Sequence, residues 1–200
     1  MPAAARTSRG AIVDEAREIL ERDGLDGLTM RAVANGVGVR APSLYKHVTD
    51  RGDLVRLVMD ATVLELGERL RSVPDARPET RLRSIADEFR GFAHARPAAF
   101  GLLFAAIPDA WRADPTANAD AVRPVIDAAA ELVGTDRALD ASRTLTAACV
   151  GFITMELSGA FRLGGSVDAA WSFLIDTLVV GLAPRATGPA GRTGRGSSRR

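Results

Sequence analysis

The stretch that decides the fold reads LTMRAVANGVGVRAPSLYKHV and occupies residues 28–48. Its apolar residues have the spacing of two short helices separated by a turn, with Val33 and Ala34 on the inner face of the first. Ala34 is small enough for two helices to cross closely, and Gly38 can supply the left-handed conformation that the turn needs. The pattern predicts a helix-turn-helix at about residues 29–47.

The second helix of this unit is expected to present polar and cationic side chains. Val39, Leu44 and Val48 continue the apolar core, so the residues between them point outward. Short, polar and cationic side chains on the exposed face of a brief helix suit a reader of the DNA major groove. The outward residues are Arg40, Ser43, Lys46 and His47, with Tyr45 near the edge.

Helical periodicity continues on both sides, and no stretch alternates as a strand does. We expect a first helix over residues 8–23, with Ser8 as its N-cap and Gly24 just past its end. Thr29 is the expected N-cap of the second helix. A third helix continues through His47. The further helices are expected at 51–71, 79–95, 97–107, 117–133, 136–162 and 167–182.

The predicted fold class is all-α. An N-terminal three-helix helix-turn-helix domain is joined to a larger helical domain, giving about nine helices. Pro74 and Pro78 mark the boundary. The expected division is a flexible arm (1–7), a DNA-binding domain with its connecting helix (8–72), a second helical domain (73–183) and a disordered basic tail (184–200).

Composition excludes several classes of protein. The chain is 46% hydrophobic and 26% charged, a globular balance. A single cysteine, Cys149, and two histidines leave no disulfide and no His/Cys metal site, so we expect no metal and no cofactor. The longest apolar run, residues 98–107, is shorter than the roughly 20 residues that span a bilayer. No secretory signal opens the chain, so we expect a cytoplasmic protein without membrane contact.

Charge is distributed unevenly although the formal net charge is only +1. Residues 28–51 carry four cationic side chains and one acid, and residues 184–200 carry five arginines and no acid. A local basic segment suits phosphate contacts, but it is also typical of a solvated helix face. The tail either adds sequence-independent DNA affinity or is inert.

No catalytic site is expected. The sequence contains no nucleophile elbow, no His-Glu-x-x-His motif and no phosphate-binding glycine loop. Its acids are scattered over helix faces, as is usual for solvated side chains. An enzyme is therefore the disfavoured class.

Residues 8–64 resemble the DNA-binding domain of the TetR family of regulators. The resemblance rests on Leu28-Thr29-Met30-Arg31, Val33-Ala34, Gly38-Val39, Pro42-Ser43-Leu44-Tyr45-Lys46-His47-Val48 and Arg51 with Leu54. Two residues depart from the family pattern: Gly36 falls inside the second helix, and Val48 stands where phenylalanine is more frequent.

The resemblance implies roles at single positions. Those that correspond to phosphate contacts are Thr29, Tyr45, Lys46, His47 and Arg51. Those near base edges are Arg31, Arg40, Ala41, Pro42 and Ser43. Alternatives remain open: Tyr45 as a packing residue, His47 as a cap of the third helix, and Arg31 as the partner of an acid in the first helix. Arg6 and Arg9 belong either to a minor-groove arm or to a frayed terminus.

The second half resembles the C-terminal ligand-binding and dimerisation region of one TetR subgroup, with Cys149-Val150-Gly151 in place of a Trp-His-Gly tripeptide. The resemblance implies that residues 73–183 form the effector-binding and dimerisation domain. The last two helices would form a four-helix dimer interface with a second copy, where Gly151, Ser158, Gly159 and Ala160 permit close approach or merely relieve crowding. The candidate effector-pocket residues are Phe89, Phe92, Phe100, Phe104, Trp111, Phe152, Met155, Glu156 and Trp171. Ordinary core packing is the alternative for the aromatic residues, and Glu156 suits either a cationic effector or a salt bridge across the dimer.

The function that the resemblance implies is a one-component transcriptional regulator. As a homodimer it would bind a palindromic operator in double-stranded DNA, act as a repressor by family default and be released by a small-molecule effector. The alternative is a DNA-binding regulator without small-molecule input, controlled by a protein partner or by its own abundance.

Overall fold

The computed structural model describes residues 8–182, and this part of the chain is entirely helical. It contains no strand, as predicted. A short 3-10 helix at Asp109–Trp111 lies between the sixth and seventh α-helices. The α-helices are α1 (Arg9–Gly27), α2 (Met30–Gly36), α3 (Ala41–Leu44), α4 (Arg51–Arg71), α5 (Pro78–Ala95), α6 (Pro97–Leu103), α7 (Pro115–Val133), α8 (Thr135–Leu157) and α9 (Val167–Leu182). The expected arm (1–7) and tail (184–200) lie outside the described residues.

Side-chain caps fix where the first helices begin. The Ser8 hydroxyl accepts a hydrogen bond from the backbone N–H of Ala11 at 3.2 Å, and the Thr29 hydroxyl accepts one from Ala32 at 3.1 Å. Each satisfies a backbone donor that the helix itself leaves without a partner. Both predicted N-caps are confirmed. The first helix leaves helical geometry at Gly24 before its last turn.

The turn between α2 and α3 is a Schellman motif. Gly38 has a positive φ of 71°. Its N–H donates to the Asn35 carbonyl at 3.1 Å, and the Val39 N–H donates to the Ala34 carbonyl at 2.9 Å. These two bonds close the last turn of α2, and the left-handed residue between the helices is best tolerated as glycine. Gly36 is the last residue of α2, so its helix-breaking tendency falls where the helix stops.

The first buried cluster holds the helix-turn-helix against the rest of the chain. Ile12, Val33, Leu44 and Val58 are all fully buried in it, but so are residues beyond α4. Those later members come from α6, from the segment after the 3-10 helix and from α7: Ala99, Leu102, Ala113 and Ala121. The three-helix domain is therefore packed directly onto the second half of the chain, with α1 against α6 and α4 against α6 and α7.

A carboxylate adds to this packing. The Glu21 side chain of α1 accepts hydrogen bonds from the backbone N–H groups of Ala98 and Ala99, at 2.9 and 3.0 Å. Pro97 precedes them in the first turn of α6, as predicted. A negative side chain is favourable at a helix N-terminus, because the free N–H groups there carry partial positive charge.

The second buried cluster is richer in aromatic side chains. It joins the six helices from α4 to α9 around Phe92, Phe100 and Trp171. The indole N–H of Trp171 donates to Asp87 at 2.7 Å, so its polar atom is satisfied inside the packing.

Three predicted helix ends were too late. Regular α3 stops at Leu44 and continues as turns to His47. The sixth helix stops at Leu103 rather than 107, where Phe104 leaves helical geometry with a φ of −109° and a ψ of 4°. The eighth stops at Leu157 rather than 162, because Gly159 adopts φ 68° and its N–H donates back to Glu156.

Candidate nucleic-acid interface

The surface formed by α2, α3 and the turns after each of them, residues 29–47, exposes most of the predicted DNA contacts. We call it the reading surface. Tyr45 is 55% exposed, which argues against a purely packing role. The exposed members are Thr29, Arg31, Arg40, Pro42, Tyr45, Lys46 and His47, and Ala41 and Ser43 are half-buried.

The cations of the reading surface have no acidic partner within residues 8–182. Arg31, Arg40 and Lys46 take part in no ion pair there, and neither does His47. The expected alternative for Arg31, an acid of the first helix, is not seen. Elsewhere arginines such as Arg56 and Arg81 are paired. Cations that remain solvated and unpaired are the ones that can neutralise DNA phosphates.

His47 does not cap α3 with its side chain. Its backbone N–H donates to the Leu44 carbonyl at 2.9 Å, and the imidazole makes no hydrogen bond to the described residues. The ring is exposed beside Lys46. The imidazole therefore remains available on the reading surface.

Arg51 differs from the other predicted phosphate contacts. Its Nε donates to the Leu28 carbonyl at 2.9 Å and its Nη2 to the Leu25 carbonyl at 2.6 Å. The guanidinium also lies over the Trp111 ring, 5.3 Å from the centroid. Arg51 thus joins the start of α4 to the connection before α2, a structural role that the sequence did not indicate.

Trp111 brings the 3-10 helix against the start of α4. A Cβ atom built on Gly52 would lie 2.4 Å from the Trp111 Nε1, closer than two such atoms can approach. Next to this contact, the backbone N–H of Asp114 donates to Asp60 of α4 at 2.9 Å. The segment between α6 and α7 is therefore held against α4 at two points, and Trp111, which was predicted as an effector-pocket residue, packs at this contact instead.

Of the two predicted arm residues, Arg9 is the first residue of α1 and is exposed. Arg6 lies outside the described residues.

A cavity of about 180 Å³ lies among α4, α5, α7 and α8. Of the predicted pocket residues it includes Phe89 and Phe104. Aliphatic side chains such as Met59, Leu66 and Leu82 form most of its wall. Its polar lining residues are Arg112, Asn118, Thr146 and Cys149, none of which the sequence singled out for a pocket. They come from three separate segments, so no local sequence motif predicted them.

The remaining predicted pocket residues do not line this cavity. Phe92, Phe100 and Trp171 are buried core, as the alternative expectation had it. Phe152 packs against Phe161 and Trp171, with ring centroids 4.9 and 5.4 Å away.

Glu156 and its neighbour Met155 have other roles than the expected ones. Arg90 donates to both Glu156 carboxylate oxygens, at 2.9 and 2.5 Å, and holds the pKa of Glu156 below its ordinary value. His94 lies 3.2 Å from the same carboxylate. Glu156 therefore pairs within one chain rather than facing the cavity, and Met155 is exposed.

The outer sides of α8 and α9 form an exposed face of small and apolar residues, which we call the α8–α9 face. On α9, Phe173 is 74% exposed and Val180 is 69% exposed. The other members of this face are Ala147, Gly151, Thr154, Met155, Ser158, Ala170 and Thr177. Exposed large apolar side chains grouped on one face mark an interaction site more often than scattered ones do.

Across residues 8–182 no helix combines the length and apolar character that crossing a bilayer requires. The same range holds no group of three metal-ligating side chains.

Comparison with known proteins supports this architecture in both halves. Residues 12–58 match the model of bacterial regulatory proteins of the tetR family, and residues 82–178 match the tetracyclin repressor-like C-terminal domain. Two curated relatives agree. An uncharacterized HTH-type transcriptional regulator of Mycobacterium tuberculosis is 31% identical over 189 residues, covering 92% of this chain and 85% of the relative. The class D tetracycline repressor of Escherichia coli is 37% identical over 90 residues, covering 43% and 39%.

Solved structures share the fold. A protein of unknown function from Rhodococcus superposes with a TM-score of 0.77 at 22% identity, covering 92% of this chain and all of the other. ActR of Streptomyces coelicolor, solved in complex with (S)-DNPA, has a TM-score of 0.69 at 18% identity, covering 89% and 98%. With relatives that are transcriptional regulators rather than enzymes, and with both of its halves matched, the chain belongs to the TetR family of transcriptional regulators.

Proposed function

We propose that this regulator is a repressor that binds a palindromic operator as a homodimer and is released by a small-molecule effector. The observation that carries the DNA part is the reading surface, where Arg31, Arg40 and Lys46 are exposed without ion-pair partners in the described chain. Phosphate contacts supply most sequence-independent affinity, and contacts to base edges supply selectivity.

We assign the individual DNA contacts to side chains of the reading surface. We assign the phosphate contacts to Lys46, Tyr45, His47 and Thr29, which are all exposed on the reading surface. Arg40 is the N-cap residue of α3 and lies at its exposed start. An arginine in a bidentate contact with guanine discriminates against other bases by about 1–3 kcal/mol. We therefore assign selectivity mainly to Arg40, with Arg31, Ala41, Pro42 and Ser43 nearby.

The α8–α9 face supports the dimer. None of the members of this face carries a charge, and its small residues Gly151 and Ser158 allow helices to approach closely. A second copy of the chain offers the same face, as a two-fold interface requires. Two reading surfaces would then have to sit about 34–36 Å apart to enter successive major grooves.

The contacts around α4 support release by an effector. Met59, Val63 and Leu66 of α4 line the cavity. The start of the same helix holds the Leu25 and Leu28 carbonyls through Arg51. A ligand that prefers a cavity with a different placement of α4 would change the separation of the two reading surfaces. Operator affinity would fall by the ligand's differential affinity for the two states.

Fluorescence anisotropy with a library of palindromic duplexes, over a series of salt concentrations, tests the DNA-binding part. The wild type is expected to bind a subset of sequences tightly with a steep negative salt slope. Arg40→Ala is expected to relax selectivity at one base pair in each half-site. Arg137→Ala, an exposed arginine at the start of α8, is the matched control and should change nothing.

One binding result would contradict the proposed operator reader. Binding that ignores sequence, survives Arg40→Ala and disappears when residues 184–200 are removed would assign DNA affinity to the basic tail. The proposed operator reader would then be abandoned.

A further inference from the structure

We propose that the cavity takes a compact aromatic carboxylate, with its ring among Phe89, Phe104 and the aliphatic wall and its carboxylate held by Arg112. This inference rests on the effector site in the proposed function and names the chemical class of the effector. It is carried by the size of the cavity, by the chemistry of its lining and by the state of Arg112.

The size of the cavity limits the ligand. Its volume is about 180 Å³, and an engineered apolar cavity of about 150 Å³ is known to bind benzene. One aromatic ring with a short substituent therefore fits this space.

The wall favours an aromatic ring. Phe89 and Phe104 both line the cavity, with centroids 6.3 Å apart and ring planes at 90°. Phe104 is 47% exposed, so part of its side chain is not covered by the protein. A ligand ring can complete an edge-to-face group with these two side chains, an arrangement that aromatic rings prefer over face-to-face stacking.

The charge of the lining selects an anion. Arg112 is the one charged residue among those that line this cavity, and none of the lining residues is an acid. The other polar lining groups are the Asn118 amide, the Thr146 hydroxyl and the Cys149 thiol, whose pKa is raised to about 12 by burial, so it remains neutral. A cationic ligand would meet a like charge and no carboxylate, which excludes the cationic effector that Glu156 had suggested.

Arg112 is free to take a new partner. Its Nε donates to Asp109 at 3.2 Å, but the Asp109 side chain is 99% exposed, and such solvent-exposed pairs are weak. The two terminal guanidinium nitrogens make no hydrogen bond to the described residues. A ligand carboxylate can therefore accept two parallel hydrogen bonds from them.

A neighbouring groove provides the contrast. It has a volume of about 710 Å³ and lies among α4, α5 and α7, where it mixes acids such as Asp75 and Asp127 with Arg71 and Arg123. Such a mixed and open lining selects neither sign of charge. Arg123 is thus a matched arginine, close to the proposed site but outside it.

Isothermal titration of the full chain with 4-propylbenzoate and 4-propylbenzamide tests the proposal, because the two probes share shape and differ in charge. The wild type is expected to bind the carboxylate about tenfold more tightly than the amide, as a hydrogen bond to a charged group implies. Arg112→Gln should remove that preference and leave amide binding within about twofold of the wild type. Arg123→Gln should retain the full preference.

Two cavity-filling variants test the location. Thr146→Phe should abolish binding of both probes, with folding checked by circular dichroism. Val122→Phe provides a second filler at a lining position that is 42% exposed, where a larger side chain is tolerated in the fold. Unchanged carboxylate binding in both folded variants would move the site elsewhere and overturn the proposal.

The outcomes separate this inference from the proposed function. Equal binding of the two probes, equal losses of both in Arg112→Gln, or no binding of either overturns the inference. If the amide releases a cognate operator duplex as well as the carboxylate does, effector release stands and the anionic class falls. If the carboxylate binds through Arg112 but leaves operator affinity unchanged, the inference stands and effector release falls.

Discussion

The reading surface and the α8–α9 face are both exposed, but their chemistry is opposite. The first carries Arg31, Arg40 and Lys46 without ion pairs in the described chain, and the second exposes Phe173 and Val180 among small uncharged residues. Exposed cations remain hydrated and can bind an anion, whereas exposed apolar side chains lower the free energy when they are buried away from water.

The difference implies two kinds of partner for one chain. A polyanion suits the reading surface, and a surface of the same composition suits the α8–α9 face. Since each palindromic operator contains two half-sites, the two surfaces are expected to act together: the face sets the distance between two reading surfaces.

The largest expected effect comes from placing a charge in the α8–α9 face. Gly151→Arg should convert the dimer to a monomer and reduce operator affinity by about 10³-fold, the lower end of the difference between specific and non-specific binding. The physical reason is that a guanidinium would be buried in the interface without a partner. Light scattering measures the mass, and anisotropy measures the affinity.

Gly91→Arg is the matched control for that change. Gly91 and Gly151 are both exposed helical glycines with no atom within 4 Å of an added Cβ in a single chain. Gly91 lies on α5, outside the face, so its arginine variant should remain dimeric. A dimer that survives Gly151→Arg would contradict the assignment of the face.

A second change disturbs the contact between the 3-10 helix and the start of α4. Gly52→Ala places a methyl group against the Trp111 indole and should lower the free energy of unfolding by about 1–3 kcal/mol, the usual cost of overpacking. Gly91→Ala, in an open helical position, should raise it by about 0.5–1 kcal/mol. Urea unfolding followed by circular dichroism checks both, and equal changes in the two variants would show that Trp111 does not restrain α4.

A third change tests the phosphate role of one cation. Lys46→Ala should weaken binding to all duplexes alike and reduce the slope of log affinity against log salt by about 1. Selectivity between duplexes should be retained, in contrast to Arg40→Ala. If Lys46→Ala instead changes the preferred sequence, Lys46 contacts bases rather than phosphates.

The smallest expected effect concerns Glu156, an acid of α8 that is not part of the α8–α9 face. Arg90 holds the pKa of Glu156 below its ordinary value of 4.5 by donating to its carboxylate. Because the folded pKa is the lower one, the stabilisation is present above pH 4.5 and is lost as the pH falls through the folded pKa. Glu156→Gln should lower the free energy of unfolding by about 1 kcal/mol at neutral pH.

The pH series supplies the control for this last variant. The difference between the wild type and Glu156→Gln should shrink when urea unfolding is repeated at about pH 3.5, where the carboxylate of the unfolded chain is protonated. A difference that stays constant with pH would assign the loss to packing rather than to the ion pair with Arg90.

Local signals in the sequence predicted what local interactions determine. Ser8 and Thr29 are caps because each hydroxyl reaches a backbone N–H three residues away. The 51–71 helix was predicted with the bounds it has in the structure, where Asp50 caps its start. The end of α8 was missed because Ala160 and Phe161 continue the apolar pattern past Gly159, and only the backbone conformation shows the stop.

Contacts between distant segments were not predictable in the same way. The Arg51 guanidinium meets carbonyls 23 and 26 residues earlier and a ring 60 residues later. Glu156 meets an arginine 66 residues before it. Arg112 and Thr146 come together only through the packing of α7 and α8. Sequence periodicity identifies which face of a helix is apolar but not which side chain of another helix lies opposite.

The shared packing of α1 with α6 has a consequence for modular exchange. Glu21 binds the N-terminus of α6, and Ala99, Leu102 and Ala113 belong to the same buried cluster as Ile12. A chimaera that joins this helix-turn-helix to another regulator's sensor domain at the Pro74 boundary would leave that cluster open. A transferable unit must instead extend from the helix-turn-helix through α6 to Ala113. The exchange of one sensor domain for another, in evolution or in engineering, therefore has to begin inside the second domain.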